Sequence, residues 1–336
     1  MLSSTSNSDS RIAETPVGVR WLLVVVLTVV SVALIESGLR VAGYTARHYD
    51  TRELWAVQRD GVNRSGADGI ALLGNSRMQM AVHPDTLAEY FPGKRVYMLA
   101  SVGKSPMGLL EDLADDPGFG GTVICAVSMH WIQPELWDDY DADTAYFEQT
   151  WPRERWVARL REPLGASVYL SHGSSYGGAL DWLEGKSRGR YLELQGDRFK
   201  RGYFERLGDG IGAERSRHLV GELGYYGNYP VPSPDELAVT FERTRLVVEH
   251  LQARGCRVIF LRLPTSGDLW AYQREMYPKS LYWDRFAKVV SAETYHFADF
   301  PELAEIECPD WSHLNFDGAL SYTGALGRLT GEVEGR

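Results

Sequence analysis

The chain has 336 residues, 44% of them hydrophobic and 24% charged, which is apolar material enough for a core without disulfide or metal staples; disordered, collagenous and cystine-rich classes are excluded. Lys and Arg number 35 against 45 Asp and Glu, a net charge of −10, and no basic cluster stands apart, so a nucleic-acid partner is excluded. The mean hydropathy of −0.26 is that of an ordinary soluble protein and conceals one segment.

That segment is the run of fifteen uncharged residues from Trp21 to Ile35 (WLLVVVLTVVSVALI). It spans about 22 Å as a helix, short of the ~30 Å hydrocarbon layer, and its neighbours Val17, Gly18 and Gly38 to Tyr44 complete a span if Glu36 and Arg40 reach the interface. A cleaved signal peptide and a buried helix are the alternatives. The first has only Val41-Ala42-Gly43 as a cleavage site, and the second conflicts with a run that is apolar on every face. The resulting division is a cytoplasmic leader over residues 1–16, a transmembrane anchor over 17–44, a polar linker over 45–68 and an exported domain over 69–336. Arg11 and Arg20 before the segment balance Arg40 and Arg47 after it, so orientation rests on the short leader rather than on charge. Residues 48–336 carry 31 basic and 42 acidic side chains, a net of −11.

Beyond the linker, short apolar runs alternate with helical patterns, the signature of βαβ units on a parallel sheet. The predicted strands are Gly69 to Leu73, Arg95 to Leu99, Thr122 to Val127, Arg257 to Leu263 and Thr294 to Phe297. Helices are predicted over Pro84 to Phe91, Met107 to Asp115 and from Pro234, where Ser233-Pro234-Asp235-Glu236 supplies a capping box and a first-turn proline. The predicted fold is α/β, a flavodoxin-like three-layer sandwich of about five parallel strands, with one N-terminal transmembrane helix and a long insertion after the third strand, at about residues 132–230.

Within the insertion, Glu135, Asp138, Asp139, Asp141 and Asp143 form an acidic run whose spacing is not that of an EF-hand loop, and a solvated surface is the simpler reading. Its aromatic residues, Trp151, Trp156, Tyr169, Tyr176, Trp182 and Tyr191, suit either a core or a sugar-stacking platform. Gly173-Ser174-Ser175-Tyr176-Gly177 has the form of a nucleophile elbow but lacks the strand that must precede one, so it reads as a Gly/Ser loop. Cys125, Cys256 and Cys308 are an odd number without a CxxC; a Cys256–Cys308 bridge or three buried thiols are the options.

Two clusters can carry chemistry. Gly74-Asn75-Ser76-Arg77 follows the first strand, and the carboxyl ends of strands in an open parallel sheet are where ligands bind. Asp310-Trp311-Ser312-His313-Leu314-Asn315 lies beyond the fifth strand. A serine hydroxyl needs an imidazole to take its proton, and the imidazole needs a carboxylate to fix its tautomer; Asp and His three apart can meet side by side. A metal site of His130, Asp310 and His313 is a remote alternative.

This arrangement resembles the SGNH (GDSL-like) hydrolase and acyltransferase superfamily. Gly74-Asn75-Ser76 is similar to its first block, and Asp310-x-x-His313 with Leu314-Asn315 and Gly318-Ala319 to its last, in the form of the membrane-anchored bacterial branch that modifies cell-envelope polymers. Gly103, in Ala100-Ser101-Val102-Gly103, falls where the second block has its glycine. The third block departs: Ser128-Met129-His130-Trp131 contains no Asn. Ser precedes Asp-x-x-His in the chain, the order of the superfamily's esterases and the reverse of its alginate-type O-acetyltransferases. The resemblance implies Ser76 as nucleophile, His313 as base and Asp310 as its orienter. It implies Ser76 and Gly103 as oxyanion donors; in place of the missing Asn either Ser128 or His130 donates or the hole has only two donors, and Asn75, Arg77 and Trp131 are the candidate substrate contacts. No cofactor or metal is implied.

The function expected is that of an extracytoplasmic serine esterase or O-acyltransferase, held by one span in the inner or cytoplasmic membrane and acting on an envelope polysaccharide. Its partners would be an acyl-group donor, the polysaccharide acceptor and a multipass membrane acyl exporter. The alternative is a catalytically inactive scaffold of the same fold that binds glycan or organises an envelope complex.

Overall fold

In the computed structural model, residues 17–41, 49–158, 192–204, 214 and 231–332 are described. Helix α1 (Val17–Val41) has 25 residues and is long and apolar enough to cross a membrane. Its Trp21, Leu27 and Leu34 are each more than 60% exposed, and burial in this helix is confined to Glu36 and Leu39. Glu36 and Arg40, one turn apart, form an ion pair at 3.5 Å.

The domain is built on β1 (Gly69–Leu73), β2 (Arg95–Met98), β3 (Thr122–Ala126), β6 (Arg257–Arg262) and β7 (Glu293–His296), all parallel, in the order β2-β1-β3-β6-β7. Two short strands, β4 (Leu192–Leu194) and β5 (Lys200–Gly202), form a separate antiparallel hairpin. Every predicted sheet strand is present to within a residue at each end. β1 and β3 are buried on both faces, which is why they read as unbroken apolar runs rather than as an alternation.

Successive strand residues feed two cores. Ala71, Leu73, Val123, Cys125, Val258 and Phe260 pack under α2 (Arg52–Ser65), α5 (Met107–Asp115), α7 (Glu236–Ala253) and α9 (Trp283–Val289). Ile70, Leu72, Ile124, Ala126, Ile259 and Leu261 pack under α3 (Ser76–Ala81), α4 (Pro84–Ala88), α10 (Pro301–Ala304) and α11 (Phe316–Thr330). The result is an α/β domain with helices on both faces of a five-stranded parallel sheet, consistent with a flavodoxin-like sandwich.

Several expectations are corrected. Most of the supposed linker is α2, capped by Thr51 Oγ1, which accepts from Leu54 N. Trp55, Ala56, Arg59 and Val62 recur at helical spacing and are buried against the sheet and α5. The Arg59 guanidinium, 1% exposed, binds Asp112 and Asp116 at 3.0 and 2.7 Å, which lets a polar-looking segment pack. Helix α4 stops at Ala88. α7 follows the reciprocal box in which Ser233 N donates to Glu236 Oε2 and Glu236 N to Ser233 Oγ.

The acidic run is neither a cation loop nor wholly solvated. Asp139 accepts from Ser105 N at 2.7 Å, and Asp143, at the start of α6 (Asp141–Gln149), is buried with Lys104 and Arg52 as ion partners. All three cysteines are buried free thiols; Cys256 and Cys308 belong to cores on opposite faces of the sheet, so no bridge joins them. Residues 173–177, Tyr169, Tyr176, Trp182 and Tyr191, and much of the insertion predicted at about residues 132–230, lie outside the described residues.

Candidate active site

β1 delivers the chain to the carboxyl edge of the sheet at Leu73, and Gly74 makes the turn. A Cβ at Gly74 would sit 2.6 Å from Met78 Cβ and 3.3 Å from Ala126 Cβ, so only glycine lets α3 start this close to β3. Asn75 is the N-cap of α3, its Oδ1 accepting from Arg77 N at 3.1 Å, and Ser76 is the first helical residue. From the other end of the chain, Asn315 caps α11 by accepting from Gly318 N at 2.8 Å, and this fixes the strand-to-helix loop that carries Asp310 and His313.

The structure brings these two clusters together. Ser76 Oγ lies 2.9 Å from His313 Nε2, and His313 Nδ1 lies 2.9 Å from Asp310 Oδ2. The other carboxylate oxygen accepts from Ser312 N at 3.1 Å and His313 N at 2.7 Å. Asp310 is 1% exposed. Burial alone would raise its carboxyl, but the bonds from the His313 ring and from the two backbone N–H groups outweigh that and hold it below the ordinary carboxylate range. An ionised Asp310 only accepts, so the proton of a neutral His313 must sit on Nδ1; Nε2 then turns its lone pair to the Ser76 hydroxyl. Trp311, between the acid and the base, has φ of 64°, a left-handed conformation uncommon for a bulky residue. Its ring covers Gly267, the first residue of α8 (Gly267–Met276), whose own φ is 56° and where a Cβ would meet the indole at 2.4 Å.

The Arg77 guanidinium is bound within the protein. Arg77 is 7% exposed, and its guanidinium donates to Ser312 O, Leu263 O, Pro264 O and Thr265 Oγ1. It therefore clamps the Ser76 turn to the His313 loop and to the chain leaving β6. Asn75 likewise spends its side-chain oxygen on the cap.

Gly103 is exposed, with φ of 69°, in the turn that follows β2, where Ser101 N donates to Gly74 O at 3.2 Å. That turn is held by residues that sequence reasoning did not select. Arg198, between β4 and β5 and 1% exposed, donates to Met98 O at 2.7 Å and Ser101 Oγ at 3.0 Å while pairing with Asp50. Tyr140 Oη donates to Leu99 O at 3.1 Å, and burial pushes its phenol well above the ordinary value. No local pattern in the sequence announces contacts this distant.

Ser128, Met129 and His130 follow β3 in a turn in which Trp131 N donates to Ser128 O at 2.8 Å. His130 is buried, and burial pulls its imidazole down to about 4. Trp131 is 7% exposed and packs edge-on against His130, which makes it a wall rather than an open contact surface. Among the described residues no group of three His, Cys, Asp or Glu is arranged to hold a metal ion, so His130 does not join Asp310 and His313 in one. What the arrangement can do chemically is abstract the Ser76 proton and store it on an imidazolium flanked by a buried carboxylate.

No known protein-family model matches the chain, and no characterised protein is significantly similar to it.

Proposed function

We propose that the protein is a serine esterase or O-acyltransferase of SGNH type, with a flavodoxin-like fold, acting through an acyl-Ser76 intermediate. The observation that carries this reading is the continuous path from Ser76 Oγ to His313 Nε2 and from His313 Nδ1 to Asp310, at 2.9 Å in each step. Ser76 Oγ attacks the ester carbonyl while His313 Nε2 takes its proton. The negative oxygen of the tetrahedral intermediate is met by the N–H groups of Ser76 and Gly103, with Ser128 beyond them. His313 then protonates the leaving alkoxide, the ester C–O bond breaks, and the acyl group remains on Ser76. Water or a sugar hydroxyl repeats the sequence in reverse, giving up its proton to His313 and receiving the acyl group.

Helix α1, long and apolar enough to cross a membrane, supports a membrane-anchored form of this reading. We read the catalytic domain as extracytoplasmic and single-pass, its substrate as an acylated envelope polysaccharide and its acyl supply as a multipass exporter, because a tether serves an enzyme whose substrate is assembled at the same surface. An idle scaffold draws no support from contacts this short: a site without chemistry has no need of an ionised acid that fixes the imidazole tautomer. A fluorophosphonate probe should label the wild-type chain and leave Ser76→Ala unlabelled. Equal labelling of the two would overturn the assignment of the nucleophile.

A further inference from the structure

The two N–H groups that meet the oxyanion in the reading above stand on different elements: that of Ser76 begins α3, and that of Gly103 lies in the turn after β2. For both to reach one oxygen, their separation has to be held to within about 0.5 Å. Gly103 is the third residue of a four-residue turn from Ser101 to Lys104, closed by Lys104 N donating to Ser101 O at 3.3 Å. Its N–H belongs to the central peptide of that turn, which reverses direction between the two common turn types. The φ of 69° at Gly103 is that of the type with a left-handed third residue. Whatever fixes Ser101 therefore fixes where the Gly103 N–H points.

The far end of the turn is held by α6 and the residues before it: Lys104 pairs with Asp143, and Ser105 N donates to Asp139 at 2.7 Å. The near end depends on Arg198. Its Nη2 donates to Ser101 Oγ at 3.0 Å and its Nη1 to Met98 O at 2.7 Å, while Nε and Nη2 reach Asp50 Oδ1 at 2.8 and 2.7 Å. The other Asp50 oxygen accepts from Gln79 Nε2 at 3.0 Å and lies 3.7 Å from Lys200 Nζ. Gln79 is a fully buried residue of α3. A line of four side chains, Gln79, Asp50, Arg198 and Ser101, thus runs from the helix that carries Ser76 to the turn that carries Gly103.

Arg198 occupies a backbone position that does not suit it. Its φ of 67° is left-handed, in the hairpin loop where Arg198 N donates to Gln195 O at 2.9 Å and Gln195 N to Phe199 O at 2.8 Å. Glycine or asparagine is at ease in such a place and a long side chain is not. An arginine kept there at 1% exposure indicates that the position is built around its guanidinium rather than around the loop. We propose that Arg198, with Asp50 as its counter-charge, is a positioning residue for the oxyanion hole and sets the distance between the Ser76 and Gly103 N–H groups. This assignment rests on the acyl-Ser76 reading given above. It gives the β4–β5 hairpin a part in the reaction through the turn that it holds.

The test is the time course of fluorophosphonate labelling of the full chain in lipid nanodiscs. Its amplitude counts folded sites, and its rate constant reads the hole, where the phosphoryl oxygen of the probe takes up negative charge. Arg198→Gly suits the left-handed backbone and takes away the side chain; it should lower the rate constant about tenfold at unchanged amplitude. Gly103→Ala should do the same, by about tenfold, because a methyl group there meets nothing within 4 Å and acts only through the backbone angle. Since both act on one hole, the double variant should be no slower than the slower single. Arg59→Lys, at an equally buried arginine with two carboxylate partners, leaves the rate constant unchanged. Should Arg198→Gly fail to fold, Asp50→Asn decides, with a rate constant about threefold below wild type. A wild-type rate constant in the deciding variant, a loss confined to amplitude, an equal fall in Arg59→Lys, or a double variant slowed by the product of the singles would each overturn the proposal and leave the nucleophile standing. Equal labelling of the wild type and Ser76→Ala would instead retire the nucleophile, and this assignment with it.

Discussion

The two halves of the sheet's carboxyl edge use buried polar groups in opposite ways. Beside β1, each group is spent on another part of the protein: Ser76 on His313, His313 on Asp310, Asp310 on two backbone N–H groups, Arg77 on four oxygens. Beside β6 and β7, Arg262, Gln273 and His296 line an open volume. The first pattern holds geometry in advance of any ligand, as proton transfer requires; the second surrounds a space of small-molecule size.

Substitutions on one side should leave the other intact, and the largest effects belong to the relay. His313→Ala and Asp310→Asn should slow fluorophosphonate labelling of Ser76 by about a thousandfold or more. Arg77→Met removes the guanidinium from four buried oxygens, of which Leu263 O and Pro264 O keep Arg262 and Cys308 Sγ as donors, and should cost about 3 kcal/mol in a urea titration. It is also the substitution that should damage both halves, since the chain it clamps continues from Arg262.

A smaller effect tests the cavity side. His296 titrates at about 3 in the folded chain against an ordinary 6.5, so below pH 6.5 the unfolded chain takes up a proton that the folded chain refuses. Stability from this group is therefore intact above pH 6.5 and falls as the pH drops from there toward 3, by about 1.4 kcal/mol per unit. His296→Gln, which keeps an acceptor for Ala298 N, should flatten the acid limb of the stability profile; an unchanged slope would mean that the ring is charged when folded. The smallest effect is expected far from both halves. Ser233→Ala opens the capping box of α7 and should cost about 1 kcal/mol, with labelling unchanged.

The parts legible in the sequence were those encoded over a few residues. Strands buried on both faces announced themselves as runs such as GIALL and TVICA, and the capping box of α7 lay within four residues. Ser76, Asp310 and His313 could be named because a strand-end serine and an Asp-x-x-His are local patterns; that they touch is a property of the fold. What was hidden depended on partners far away. α2 looked like a linker because its buried face includes Arg59, whose carboxylate partners lie more than 50 residues on. Arg77 looked like a substrate group because nothing near it in sequence reveals four oxygens from two distant loops. The cavity had one overlooked signal, the density of aromatic residues from Trp270 to Trp283, but its lining comes from elements that only the sheet order places together.

Ser76 and His313 are 237 residues apart, and the base arrives on the loop before the last helix. A chain emerging from the ribosome therefore carries the serine long before it carries anything to activate it. If Ser76 is the nucleophile proposed above, its reactivity switches on only when the final element docks, and truncated or misassembled copies stay inert toward esters. Fluorophosphonate labelling of Ser76 is for the same reason a readout of completed folding, available in intact cells without purifying the protein.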